Sequence, residues 1–143
     1  MEIAKALHPQ WFNELGLKQI ANDLQTEQGL IALDEDRVVG FLTYCTDDIR
    51  KTAELSWIGV RPDLHMRGIG RALVGVLEET LTKQSFTSLE VSTVAPTIDY
   101  APYARTRSFY YSVGFEDVRI DKGWFRSGDD RLLLGKTLQT SSL

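Results

Sequence analysis

The stretch Glu54–Leu73, ELSWIGVRPDLHMRGIGRAL, contains the change of period that decides how this chain is built. Its first part, closing at Val60, reads as the end of the strand TAELSWIGV, and Pro62 then removes a ladder donor and ends regular pairing. A basic cluster and two glycines one residue apart, Gly68 and Gly70, lead straight into an apolar helical pattern. Ile69, Ala72, Leu73, Val76, Leu77, Thr80 and Leu81 recur at helical spacing and predict one inward face, held for about three turns.

A helix begins with unpaired N–H groups at the positive end of its dipole, and glycines before it let an anion approach the backbone without a Cβ in the way. RGIGRA, placed between a strand and a helix, therefore suits a pyrophosphate. A tight turn and a close helix contact account for the same glycines without any ligand. Two phosphate templates do not fit: the dinucleotide fingerprint needs Gly or Ala where Leu73 stands, and the P-loop's Gly-Lys-Ser/Thr is absent.

Upstream, Ile3–Leu7 reads as a short strand, and HPQWFNELGLKQIANDLQTEQ reads as helical with Leu15, Ile20 and Leu24 inward. GLIALDED and RVVGFLTYCT form two apolar runs about an acidic turn, the pattern of a hairpin. Downstream, TSLEVSTV returns to period two, and YARTRSFYYSVGF predicts a short helix stopped by Gly114 in a left-handed cap. FEDVRIDKGWF and RLLLGKTL supply two further strands, joined through the turn-like RSGDD. No linker or repeat interrupts the alternation, so one domain is expected over 1–143, with its core from about 3 to 138.

The 143 residues are 43% apolar and 25% charged, the balance of an ordinary globular protein, and the net charge is −4. That charge offers no basic field for nucleic acid or an anionic membrane and suits a cationic partner. No apolar run is long enough to span a bilayer, and MEIAKALHPQ lacks the pattern of a signal peptide, so the cytoplasm is the expected location. Cys45 stands alone, which excludes an internal disulfide and a thiolate cluster; it is expected to serve packing. His8 and His65 have no metal-like spacing, and no metal is expected.

Together, ELSWIGVRPDLHMRGIGRAL and TRSFYYSVGF resemble the GCN5-related N-acetyltransferase family. The first is similar to that family's acetyl-CoA motif. The second is similar to its Phe-Tyr-x-x-x-Gly-Phe segment, matched by Phe109, Tyr110, Gly114 and Phe115. A looser resemblance runs from Ile3 to Leu138. It implies a mixed α/β (α+β) fold, with a mostly antiparallel central sheet splayed in the middle and flanked by helices. It also implies acetyl-CoA as co-substrate and direct transfer of the acetyl group to an amine within a ternary complex.

Residue by residue, the resemblance implies that the pantetheine pairs with Ile58, Gly59 and Val60 at the end of the family's fourth strand. The pyrophosphate would sit on backbone N–H groups of His65, Met66, Arg67, Gly68, Ile69, Gly70 and Arg71. The strand around Leu89–Val94 would splay away to admit the cofactor. His65 departs from the family's Gln or Arg, yet histidine still donates to a phosphate, and Arg67 and Arg71 keep positive charge there. Tyr103 stands where many members carry an Asn that touches the cofactor, a difference read as a subfamily feature.

The attacking amine must be neutral, whereas a lysine-like amine has a pKa of about 10.4 in water. Glu54 matches the glutamate that serves as general base in the family's histone-modifying branch. It shares a face with Ser56, Ile58 and Val60 if the ladder has no bulge. Tyr110 matches the tyrosine that protonates the leaving thiolate, and a backbone amide around Ile58–Val60 would hold the oxyanion. For the acceptor, a small-molecule or protein amine, Asp47, Asp48, Asp99 and Tyr100 border an acidic and aromatic groove or are solvated turn residues. The alternative function is an acyl-CoA-binding sensor or partner module without turnover. Both a monomer and a homodimer, joined along a strand edge within 115–138, are compatible with the pattern.

Overall fold

The computed structural model describes residues 27–97 and 100–138. The strand and helix expected before Glu27, Trp11, Asp99 and the C-terminal tail lie outside those residues. The described elements are β1 (Gln28–Asp34), β2 (Arg37–Asp47), β3 (Thr52–Val60), α1 (Ile69–Lys83), β4 (Ser88–Val94), α2 (Ala101–Ser112), β5 (Glu116–Asp121) and β6 (Arg131–Thr137). They form a mixed α/β fold. Six strands make one sheet in the order β1-β2-β3-β4-β6-β5, antiparallel throughout except for the β3–β4 pair.

The expected hairpin is β1–β2, and its turn residues Glu35 and Asp36 both take positive φ, 47° and 70°. Tight hairpins favour that geometry because its twist matches the strands, and Asp tolerates it. α2 ends as a Schellman motif: Phe115 N–H bonds Tyr110 O, Gly114 N–H bonds Tyr111 O, and Gly114 has φ 100°. The accompanying apolar contact is Phe115 against Tyr110, ring centroids 5.7 Å apart.

One sheet face carries the core. Leu42, Tyr44, Ala53, Leu55, Leu89, Val91, Leu132 and Leu134 pack there with Leu73, Val74, Leu77 and Leu81 of α1 and Tyr110 of α2. The inward stripe of α1 is rotated from the expected one: Val74 is buried, whereas Ala72 and Val76 are exposed. Ala72 and Val76 instead border an apolar groove beside β1.

The strand expected over FEDVRIDKGWF stops at Asp121. Gly123 turns the chain at φ 61° and its N–H donates to Asp130 Oδ1 at 2.8 Å, closing a loop that carries Trp124 and Phe125. Among the described residues, no helix is long and apolar enough to cross a membrane.

Candidate active site

β3 and β4 pair only over Thr52–Leu55 with Ser88–Val91, although β3 runs on to Val60 and β4 to Val94. The sheet splays from that point. Ile58, Gly59 and Val60 keep their β2 partners Leu42, Phe41 and Gly40 and have none in β4. At the far end of the gap, Arg107 of α2 donates to Val94 O at 2.9 Å.

α1 starts where β3 ends. Met66 and Gly68 take positive φ, 68° and 80°, and Gly68 is the N-cap with no side-chain hydrogen bond. The first helical bond is Ala72 N–H to Gly68 O, so Ile69, Gly70 and Arg71 hold N–H groups with no acceptor inside the helix. A Cβ on Gly68 would meet nothing within 4 Å, which leaves its backbone open to approach.

Gly70 has a different role from the one its spacing suggested: a Cβ there would come within 3.0 Å of the Phe109 ring. It permits α1 and α2 to touch. Arg71 completes that contact by donating to Ser112 O at 3.2 Å.

His65 is tied down. Its ring Nε2 lies 2.8 Å from Val60 O and its N–H donates to Pro62 O at 3.4 Å, so the run of free amides begins at Met66. Arg67 is exposed and borders the apolar groove with Leu64 and Ile69. Tyr103 lies edge-on to Tyr100, ring centroids 4.8 Å apart. Burial, with Asp129 and Tyr100 nearby, raises its pKa.

A bulge in β3 settles where Glu54 points. Thr43 opposes Trp57 and Tyr44 opposes Leu55, so Ser56 is the extra residue. Glu54 therefore shares its face with Trp57 and Gly59 rather than with Ile58 and Val60, and that face is turned away from α1 and α2. It stands one rung before the splay, opposite Cys45 on β2 and Glu90 on β4.

Part of Glu54 remains exposed, yet loss of water around its carboxylate raises the pKa. Arg131 opposes the rise, while Glu90 and Glu27 add to it. Cys45 is exposed on this same face and is not the packing residue expected. Burial of its sulfur, the charges of Glu27 and Glu54 and contact with Glu27 push its pKa up to about 11, so the thiol is neutral and no nucleophile at ordinary pH.

Tyr110 lies on the helix side, buried between Phe109 and Phe115. Burial raises its pKa, so the phenol keeps its proton at ordinary pH. Of the expected acceptor groove, Asp47 is engaged in its own turn, accepting from Ile49 and Arg50 N–H at 3.0 and 3.1 Å. Sequence reasoning missed Glu27, just before β1, Glu90 on β4 and Arg131 on β6, which are brought to Glu54 only by register.

Residues 1–115 match the acetyltransferase (GNAT) family. The chain belongs to that family. Among curated proteins, none matches it.

Solved structures repeat the architecture. A protein assigned to the GNAT acetyltransferases from Desulfovibrio desulfuricans superposes with a TM-score of 0.80 at 23% identity, covering 96% of this chain and 89% of that one. The ribosomal-protein-S18-alanine N-acetyltransferase of Escherichia coli gives 0.74 at 20%, covering 99% and 86%. A GNAT acetyltransferase from Elizabethkingia anophelis, solved with acetyl-CoA bound, gives 0.73 at 18%, covering 87% and 85%. At these identities the likeness establishes the fold.

Proposed function

We propose that this protein, acting as a single domain over 1–143, transfers an acetyl group from acetyl-CoA to an amine by direct attack. One observation carries the reading: the β3–β4 splay opens at the α1 start, where the amides from Met66 to Arg71 have no backbone acceptor among the described residues. The Elizabethkingia anophelis relative, folded alike, holds acetyl-CoA. The pyrophosphate would rest on those amides, with Arg67 and Arg71 beside it, and the pantetheine would pair with Ile58, Gly59 and Val60. His65 acts through Val60, steadying the strand end, and Tyr103 is a wall residue near the β5–β6 loop.

The two proton-handling groups face opposite sides of the sheet, and the splay joins those sides. Glu54 receives the proton of the incoming amine, whose lone pair attacks the thioester carbonyl. The C–N bond forms, an amide N–H near Ile58–Val60 holds the oxyanion, and the C–S bond breaks. Tyr110 donates a proton to the leaving thiolate from the helix side. We assign the reaction to the cytoplasm, the location expected for a sequence with no apolar run long enough to span a bilayer.

The deciding experiment is a calorimetric titration with acetyl-CoA, beside Arg67→Glu, which brings negative charge to the cradle without touching the α1–α2 contact. Binding that weakens at least about tenfold in the variant supports the site. No binding by the unaltered protein sinks the transferase reading.

A further inference from the structure

Two side chains bracket the gap between β3 and β4, one on each lip. Register shows which backbone groups line those lips. Arg61 N–H donates to Val39 O at 2.9 Å, so along this ladder Arg61 and Gly59 turn their polar groups to β2. Bonded and unbonded pairs alternate between antiparallel strands, so Ile58 and Val60 turn theirs the other way, into the gap.

The β4 lip follows the same rule. Ala95 N–H donates to Asp130 O at 3.0 Å, so Ala95 and Thr93 bond towards β6, while Ser92 and Val94 turn N–H and C=O into the gap.

On each lip the outermost carbonyl is already taken. Val60 O lies 2.8 Å from His65 Nε2, and because a carbonyl only accepts, that nitrogen carries a proton. Val94 O accepts from Arg107 Nη1 at 2.9 Å. Both side chains belong to half-buried residues, and each comes from outside the sheet: His65 from the turn before α1, Arg107 from α2. The donor of Arg107 is charged, which makes its bond the stronger kind. Arg107 also stands one turn before Tyr110, on the same side of α2.

Unpaired strand edges join whatever edge they meet, and these two lips belong to one sheet. Something must hold them apart before a ligand arrives. We propose that Arg107 is a positioning residue for acetyl-CoA: by tying Val94 O to α2, across from the His65 cap, it keeps the lips apart and leaves the remaining inward groups of Ile58, Val60, Ser92 and Val94 to the pantetheine.

This rests on the transferase reading above. A gap held open in advance spares the cofactor the work of ordering it, and affinity rises accordingly. The nucleotide half of the cofactor, resting on the amides from Met66 to Arg71, meets neither lip.

The test therefore separates the whole cofactor from its nucleotide half. Acetyl-CoA and adenosine 3′-phosphate 5′-diphosphate are titrated into the unaltered protein and Arg107→Met, followed by amide chemical shifts, which read weak as well as tight binding. Acetyl-CoA should bind the variant at least about tenfold more weakly, and the nucleotide within about twofold of the unaltered protein. Arg107→Lys, which restores a charged donor, should recover most of the lost affinity. Should Arg107→Met fail to fold, Arg107→Gln, with a neutral donor, should lose about threefold for acetyl-CoA and nothing for the nucleotide.

Unchanged acetyl-CoA affinity in the variant overturns this inference alone. So does an equal loss for both ligands, or a loss that Arg107→Lys does not recover. Absence of acetyl-CoA binding by the unaltered protein overturns both this inference and the transferase reading.

Discussion

At the scale of single residues, Glu54 and Tyr110 are both held in environments that favour their protonated forms, with opposite consequences. For Glu54, a raised pKa in the folded state means the fold binds a proton more readily than the unfolded chain does. Stability is therefore lost as pH rises from the ordinary glutamate range through the raised pKa, while base function is gained over the same interval. Glu54→Gln should melt at a higher temperature than the unaltered protein at pH 7 and turn over at least about a hundredfold more slowly. An unchanged pH profile of kcat in that variant would remove Glu54 as the base. For Tyr110, the phenol is the only feature that Tyr110→Phe deletes from the Phe109–Phe115 cluster. Turnover should drop about tenfold or more, while acetyl-CoA affinity stays within about twofold. Rates equal to those of the unaltered protein would contradict an acid role.

At the scale of elements, the two glycines before and in α1 have separate physical roles, and mutation can tell them apart. Gly70→Ala forces a methyl group against the Phe109 ring and should cost about 1–3 kcal/mol of stability. Phe109→Leu should recover part of that loss, a coupling measurable by denaturant melts of the two single variants and the double variant. Gly68→Ala meets no atom, so its cost should be the backbone strain alone, about 1–2 kcal/mol at a left-handed position, and Phe109→Leu should not relieve it. The motif's spacing was legible in the sequence; the division of labour was not, because the partner of Gly70 stands in another helix.

Across the whole molecule, the site is an interruption of the sheet. Ladder bonds between β3 and β4 end after Leu55–Val91, while core packing from Leu55, Val91, Leu77 and Leu134 continues beneath them. A ligand seated in the gap supplies donors and acceptors only to the folded state. Acetyl-CoA at a hundred times its Kd should add about 2.7 kcal/mol to unfolding stability. Hydrogen exchange should slow most at Ile58–Val60 and Met66–Arg71. Protection confined to distant segments such as β5 would place the cofactor elsewhere.

The sequence by itself determined the order of the described elements. Period-two runs, the Glu35-Asp36 turn, the Gly114 stop and the Pro62-to-Gly70 transition are set by neighbours within a few residues, so local sterics and hydrogen bonding write them into the chain. The paired motifs around Gly68 and Tyr110 likewise marked the family. What only the tertiary structure decided depends on register between distant strands. One extra residue, Ser56, turns Glu54 to the face opposite Ile58 and Val60. Glu54 stands between Cys45 and Glu90 because three strands align there. Side-chain direction alternates along a strand, so a one-residue shift exchanges the faces, and no local pattern carries that information.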